Sequence, residues 1–210
     1  MEPFTTLTAV AAPLLRENID TDLIIRVEHL VGSIGPATLG PHGFAALRFR
    51  PDGSENPDFV LNRPSYRAAR ILLAGANFGC GSSREGAVWA LQGMGLRCVI
   101  APSFGDIFFN NCFQNGLLPI ALPDATVRDL VRQVEADPAA RQVTVDLAAQ
   151  TVTAPDGARI PFTVETLRRE MLLHGLDAIG VTLRRETEIA AFQARDRKAR
   201  PWVYEVKERG

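Results

Sequence analysis

The sequence predicts an α/β fold with a parallel β-α-β-α-β segment at about residues 70–122. Two short apolar runs, Ile71-Leu72-Leu73-Ala74 and Arg97-Cys98-Val99-Ile100-Ala101, are typical of strands buried on both faces. A helix is expected after each run, at about 85–94 and at 106–115, and a third strand is expected at 117–122. Because strands separated by helices usually pair in parallel through right-handed crossovers, this segment is expected to form one parallel sheet.

The first 64 residues are expected to contribute less regular structure. Residues 1–17 alternate weakly between apolar and polar side chains, which predicts one or two strands. A polar stretch, Asn18-Ile19-Asp20-Thr21-Asp22, follows them. Residues 32–64 are rich in glycine and proline and predict a loop-rich excursion with at most short elements.

The C-terminal part predicts helices around a small antiparallel pair. Helices are expected at 126–136, 164–174 and 183–194, and a hairpin at 142–146 and 151–154. From residue 195 onward, four of six positions are basic: Arg195, Arg197, Lys198 and Arg200. Such a run is typical of a solvated helix end, and a contact with a partner is the alternative.

Composition excludes several classes of protein. The 210 residues are 46% hydrophobic and 22% charged, with a formal net charge of −1, so no nucleic-acid partner and no membrane partner is expected. The first residues lack the basic and then apolar pattern of a signal peptide, and no apolar run approaches the roughly 18 residues of a membrane span. Three widely spaced cysteines form no disulfide framework, which favours reduced thiols and a cytoplasmic location.

The segment from Gly75 to Glu85 carries the clearest chemical pattern. It is rich in glycine, follows a predicted strand and ends where a helix is expected, with Ser82 or Ser83 as the helix cap. Backbone N–H groups beside a helix N-terminus favour an anion. Arg84 is unusual in a first helical turn because cations favour the other helix end, and an anionic ligand would balance its charge. On these residues alone, an anion site and a structural loop with a capping serine both remain open.

Familiar nucleotide, hydrolase and metal motifs are absent. The segment has no lysine for a P-loop, Arg84 stands where a dinucleotide fingerprint has its third glycine, and no G-x-S-x-G elbow occurs. A cysteine hydrolase built on Cys80 and His174 lacks the flanking residues of that class. Neither the cysteines nor the histidines have the spacing of metal or iron–sulfur ligands, so no metal ligand is expected in this chain.

The stretch Asn77-Phe78-Gly79-Cys80-Gly81-Ser82-Ser83-Arg84-Glu85 resembles the signature of the aconitase-type swivel domain. Four other stretches agree in the same order along the chain: 18–25, 57–62, 101–111 and 175–183. The resemblance is strongest to the small subunits of bacterial 3-isopropylmalate dehydratases. It implies one swivelling β/β/α domain over residues 1–195, followed by a basic C-terminal tail at 196–210.

The resemblance also implies a function. Members of this family isomerise 2-isopropylmalate to 3-isopropylmalate through dehydration and rehydration, in leucine biosynthesis, together with a large subunit that carries a [4Fe–4S] cluster. Ser82 then takes the role of catalytic base, and Asp22 lies in the catalytic cleft. Ser83, Arg84 and the neighbouring Gly81 take substrate-binding roles. The chain itself is expected to bind no cofactor and to be active only with the large subunit.

Several positions depart from the family pattern and bear on the substrate. Gly86 stands where the family usually has histidine, Arg26 where it has proline, and Gln114 where it has lysine or asparagine. The resemblance implies that the loop at 29–32 faces the variable substituent of the substrate, where Val31 offers an apolar contact that suits an isopropyl or methyl group. Arg26 could supply a cation for an additional carboxylate unless it points to solvent or pairs with Glu28.

Two alternative functions follow from these departures. The chain could be a paralogous small subunit for another 2-hydroxy diacid, such as citramalate or a methylated malate. It could also be a regulatory partner without catalytic function, although the presence of Ser82, Ser83, Arg84 and Asp22 disfavours that interpretation.

Overall fold

The computed structural model describes residues 1–32, 35–81 and 84–204. Its strands are β1 (Thr6–Ala9), β2 (Ala11–Leu14), β3 (Ile71–Ala74), β4 (Cys98–Ala101), β5 (Leu118–Ala121), β6 (Val143–Asp146), β7 (Thr151–Thr153) and β8 (Arg159–Pro161). Its α-helices are α1 (Thr21–Ile24), α2 (Pro36–Leu39), α3 (Ala45–Arg48), α4 (Glu85–Gly93), α5 (Asp106–Asn115), α6 (Asp124–Ala136), α7 (Thr166–His174), α8 (Ala178–Leu183) and α9 (Glu186–Ala199). Short 3₁₀ turns lie at Val27–His29, Gly40–His42, Val60–Asn62, Pro64–Tyr66 and Pro201–Val203.

One of the two four-stranded sheets is parallel, with strand order β2-β3-β4-β5. This confirms the β-α-β-α-β segment, in which α4 connects β3 to β4 and α5 connects β4 to β5. The additional strand is β2, which pairs with β3 in the register Ala11↔Ile71. The long connection between β2 and β3 contains the loop-rich excursion, which holds only short helices and 3₁₀ turns in its described part.

A second, antiparallel sheet has strand order β1-β6-β7-β8. The predicted hairpin is confirmed as β6 and β7, and β8 extends it along its outer edge. The N-terminal residues, for which one or two strands were expected, form two strands. These strands belong to different sheets, because β1 pairs with β6 whereas β2 joins the parallel sheet.

Two apolar cores lie on opposite faces of the parallel sheet. Along β3, Ile71 and Leu73 belong to the core shared with the antiparallel sheet and α6, whereas Leu72 and Ala74 belong to the core shared with α4 and α5. Every residue of β3 and β4 is buried, which explains the continuous apolar runs that predicted these strands. This buried sheet provides a rigid base for the loops at its edge.

The C-terminal region differs from the sequence prediction. The helix expected at 183–194 corresponds to α9, which begins at Glu186, extends to Ala199 and buries none of its residues. A separate short helix that was not expected, α8, ends at Leu183. The division between a domain at 1–195 and a tail at 196–210 stays a prediction, and its boundary lies within α9. No described helix is long and apolar enough to cross a membrane.

Candidate active site

Three loops meet at one edge of the parallel sheet. They follow the carboxyl ends of β2, β3 and β4 and lead into α1, α4 and α5, respectively. Because the strands are parallel, these ends lie side by side, which is where α/β sheets commonly bind ligands. The polar stretch at 18–22 and the glycine-rich segment at 75–85 therefore belong to the same region of the molecule.

Backbone hydrogen bonds join the first loop to the glycine-rich loop. The N–H of Asn18 donates to the carbonyl of Ala76 over 2.9 Å, and the N–H of Gly79 donates to the carbonyl of Ile19 over 2.7 Å. The N–H of Thr21 then donates to the carbonyl of Cys80 over 3.0 Å. These bonds hold residues 18–21 beside residues 76–80, although the two segments are far apart in the sequence.

The third loop fastens the glycine-rich loop from its other side. The N–H of Asn77 donates to Oγ of Ser103 over 2.9 Å, and the N–H of Phe78 donates to the carbonyl of Ser103 over 3.0 Å. The N–H of Gly105 returns a bond of 2.9 Å to the carbonyl of Phe78. The glycine-rich loop is therefore clamped between two neighbours.

Two glycines are required by close packing of these loops. A Cβ on Gly105 would lie 2.6 Å from the carbonyl oxygen of Gly79 and 2.9 Å from Cα of Cys80. Gly79 has φ of +72°, and a Cβ there would lie 2.2 Å from the ring of Phe108. The neighbouring backbone at Gly105 and the ring of Phe108 at Gly79 leave no room for a larger residue unless a loop or the ring moves.

The predicted site residues Asp22 and Arg84 form an ion pair across this junction. Asp20 caps α1 by accepting a 2.7 Å hydrogen bond from the N–H of Leu23, which places Asp22 in the first turn. Arg84 occupies the N-cap position of α4. The Arg84 side chain is 19% exposed and that of Asp22 is 54% exposed, so the guanidinium lies deeper than the carboxylate.

This pair corrects part of the sequence prediction. The N-cap of α4 is Arg84, which makes no side-chain capping bond, and not Ser82 or Ser83. The unfavourable placement of a cation at a helix N-terminus is balanced by the carboxylate of Asp22. The predicted catalytic Ser82 and substrate-binding Ser83 lie outside the described residues. Gly81 is described and has φ of +87°, and a Cβ added there would lie 3.4 Å from Cβ of Asp20.

A cleft of about 450 Å³ opens beside Asp22. Its described lining residues are Arg16, Asn18, Asp20, Asp22, Leu23, Arg26, Val27, Glu28 and Ala46. Nε of Arg26 lies 3.3 Å from the carboxylate of Glu28, so its charge is already partnered. Arg26 is thus brought to the same cleft as Asp22, and it forms the pair with Glu28 that the sequence offered as one alternative.

The predicted contact residue Val31 is not brought into this cleft in the described part of the chain. It is 82% exposed, and the apolar lining comes from Leu23 and Val27 instead. Sequence reasoning missed Val27, because the 3₁₀ turn at Val27–His29 decides which residues face the cleft. It also missed Arg16, whose position two residues before the polar stretch was the available signal.

The described residues do not fit an iron–sulfur cluster. Such clusters are usually held by several cysteine thiolates, whereas no group of three or more potential metal ligands lies together among the described residues. Burial raises the pKa of the Cys98 thiol and of the Cys112 thiol, so both side chains keep their protons. Only Cys80 is partly exposed among the three.

Comparison with known proteins identifies the family. Residues 1–125 match the model of the aconitase C-terminal domain, and residues 128–166 match the LeuD_N model. Residues 179–205 match the model of the C-terminal domain found in small subunits of 3-isopropylmalate dehydratase. A 3-isopropylmalate dehydratase small subunit from Paramagnetospirillum magneticum is 56% identical over 97% of this chain and 100% of its own. The chain belongs to the family of 3-isopropylmalate dehydratase small subunits.

Other members of this family agree with that assignment. A small subunit from Rhodospirillum centenum is 56% identical over 97% of this chain and 99% of its own. The crystal structure of a 3-isopropylmalate dehydratase from Methanocaldococcus jannaschii aligns with a TM-score of 0.64 and 26% identity, covering 89% of this chain and 99% of that one. The expected aconitase-type fold and hydro-lyase family are confirmed, and a small subunit implies a large-subunit partner.

Proposed function

We propose that this chain is the small subunit of a heteromeric hydro-lyase that isomerises 2-isopropylmalate to 3-isopropylmalate in leucine biosynthesis. The observation that carries the proposal is the juxtaposition of Arg84 and Asp22 beside the glycine-rich loop, in a chain 56% identical to small subunits of that name. A dicarboxylate substrate needs a cation to bind one of its carboxylates. Arg84, mostly buried at the sheet edge, supplies a planar guanidinium suited to that group.

The proposed roles of the site residues follow the family resemblance. Arg84 binds a substrate carboxylate, with Ser83 and the backbone at Gly81 as further contacts. Ser82 acts as the base that takes the proton beside that carboxylate, and Asp22 is the second catalytic residue. A serine hydroxyl is a weak base, so its deprotonated form must be stabilised, and the guanidinium of Arg84 supplies positive charge two residues away in sequence.

The lining of the cleft supports an apolar substituent on the substrate. Leu23 and Val27 provide apolar surface, and Glu28 already neutralises Arg26. A third carboxylate, placed on the variable substituent of the substrate, would meet no free cation at Arg26, which makes its desolvation costly. These contacts favour isopropylmalate over substrates with a third carboxylate, such as citrate. Val31 remains a proposed contact from the resemblance, although it lies outside the described lining of the cleft.

We propose that the [4Fe–4S] cluster belongs to the large subunit. The residues of this chain support that assignment because they are poorly suited to hold a cluster. Its two fully buried thiols retain their protons, and no group of potential ligands lies together among the described residues. When bound, such a cluster supplies a Lewis-acidic iron for the departing hydroxyl. A cytoplasmic location is likewise proposed, supported by three free cysteines, and cell fractionation tests it.

The proposal is tested by reconstituting this chain with a large subunit of 3-isopropylmalate dehydratase and assaying the assembled enzyme. We expect the assembled enzyme to convert 2-isopropylmalate with a higher kcat/KM than citramalate or citrate, and the isolated chain to be inactive. Ser82→Ala in the assembled enzyme is expected to lower kcat by about 100-fold or more with little change in KM, the scale of acid–base catalysis. A preference for citrate, abolished by Arg26→Ala, would contradict the proposed substrate. Retention of most turnover in Ser82→Ala would show that another group is the base.

A further inference from the structure

One wall of the cleft is formed by a short loop. Residues 26–31, named here the cleft loop, carry Arg26 and Val27 into the cleft. The loop forms a single 3₁₀ turn over Val27–His29. The ring of His29 stacks on that of His42 with 4.0 Å between centroids, and Leu30 is the loop side chain that packs against the core.

The side chain of Leu30 packs directly against Gly86, so that a larger residue at position 86 would displace it. A Cβ on Gly86 would lie 2.4 Å from Cδ2 of Leu30 and 3.4 Å from Cδ1 of Leu39. Gly86 lies in the first turn of α4 and does not have positive φ, so its backbone does not require glycine. Glycine inside a helix costs about 1 kcal/mol relative to alanine. The cost is offset here by the room that it leaves for Leu30.

We propose that Gly86 and Leu30 are positioning residues that set the width of the substrate cleft. Gly86 follows Arg84 by two residues at the start of α4, whereas Leu30 follows Val27 by three residues in the cleft loop. Their contact joins the start of α4, where Arg84 pairs with the cleft residue Asp22, to the cleft loop, which carries the apolar residue Val27. A substrate that spans both walls depends on that separation. This inference rests on the proposed function for the identity of the substrate.

A purely structural role for the contact predicts a different result. If Gly86 only preserved core packing, its replacement would lower the melting temperature and reduce the amount of active enzyme, with KM unchanged. A positioning role predicts that KM for 2-isopropylmalate rises while kcat changes little, since the reacting groups at Arg84 and Asp22 remain in place.

The experiment compares variants of the assembled enzyme. Gly86→Ala is expected to raise KM for 2-isopropylmalate by about tenfold with kcat within about twofold, because small misplacements in a site are costly. Gly86→Ala combined with Leu30→Ala is expected to return KM toward the wild-type value, since the added methyl group occupies space vacated by Leu30. The control is Gly95→Ala, just after α4, where φ is +90° and a Cβ meets nothing within 4 Å. It is expected to lower stability and leave KM unchanged.

A second measurement on the isolated chain separates this inference from the proposed function. Amide hydrogen exchange at residues 27–31 is expected to accelerate in Gly86→Ala, to recover in the double variant and to stay at the wild-type rate in Gly95→Ala. Loss of all diacid turnover in the wild-type assembly would reject the proposed function. The hydrogen-exchange measurement would then still test whether the contact between Gly86 and Leu30 holds the cleft loop in place. Unchanged KM and unchanged exchange in Gly86→Ala would overturn the inference.

Discussion

Asp22 and Arg84 lie 62 positions apart in the sequence, and their side chains form an ion pair at the edge of the parallel sheet. The pair brings together a residue predicted to be catalytic and a residue predicted to bind a substrate carboxylate. A carboxylate that binds Arg84 must therefore share the guanidinium with Asp22 or displace it. We expect the two residues to have separable effects on catalysis, which mutation can measure.

Asp22→Asn tests the catalytic side of this pair. The amide keeps the shape of the side chain but removes its charge and its ability to take a proton. We expect kcat in the assembled enzyme to fall by about 100-fold, the scale of acid–base catalysis, with no rise in KM because a competing carboxylate has been removed. Steady-state kinetics with 2-isopropylmalate checks this. A raised KM at unchanged kcat would mean that Asp22 only orients Arg84.

Arg84→Lys tests the binding side. Lysine keeps the positive charge but replaces a planar guanidinium, which can form two parallel bonds to a carboxylate, with a point charge. Loss of one charged hydrogen bond costs about 1.5–3 kcal/mol, so kcat/KM is expected to fall by about tenfold to a hundredfold, mainly through KM. The matched control is Arg67→Lys, since Arg67 forms an exposed ion pair with Glu55 outside the site. Equal effects of both substitutions would contradict the role of Arg84.

The arrangement of strands could be predicted in part from sequence. The runs at β3 and β4 are apolar throughout because both faces of these strands are buried, and their bounds match within a residue. The pairing of β2 could not be predicted, because Ala11–Leu14 is short and contains Pro13, which weakens a strand signal. The sheet tolerates Pro13 because β2 is an edge strand, where a missing backbone N–H need not interrupt the hydrogen bonds between strands.

The candidate site was predicted at the level of loops but not of contacts. Glycine spacing indicated the loop at 75–85, and the dipole argument indicated that an anionic ligand would balance the charge of Arg84. In the structure the partner of Arg84 is a carboxylate of the chain itself. That partner is Asp22, and pattern alone could not identify it, because the strand order brings the two loops together. The choice between Val27 and Val31 depends on a single 3₁₀ turn, which no periodicity in the sequence indicates.

Gly105→Ala tests whether close packing of the loops stabilises the fold. The new Cβ would meet backbone atoms of Gly79 and Cys80, which cannot rotate away as a side chain could. We expect a loss of about 1–3 kcal/mol in the free energy of unfolding, the usual cost of overpacking, measured by urea denaturation of the isolated chain. Gly35→Ala is the control, since a Cβ there meets nothing within 4 Å and the backbone does not have positive φ. Equal stability of the two variants would contradict the packing argument.

Two buried thiols predict a loss of stability at alkaline pH. Cys98 and Cys112 are fully buried in the apolar cores, and burial raises the pKa of both thiols. In the unfolded chain a thiol loses its proton at a pKa of about 8.5, whereas in the folded chain it stays protonated. The contribution of these thiols to the free energy of unfolding is therefore fully present below pH about 8.5. It is lost as pH rises above that value, by at most about 1.4 kcal/mol per pH unit for each thiol.

Urea denaturation between pH 7 and pH 10, with reductant present, measures this loss. The variant Cys98→Ala/Cys112→Ala is expected to be less stable at pH 7, because two small cavities form in the cores. Its stability is expected to fall less steeply above pH about 8.5 than that of the wild-type chain, since it has no buried thiols whose unfolded form can ionise. Cys80→Ala is the control, because Cys80 is partly exposed, and it should retain the steep wild-type profile. If the double variant loses stability as steeply as the wild type, groups other than these thiols cause the alkaline loss.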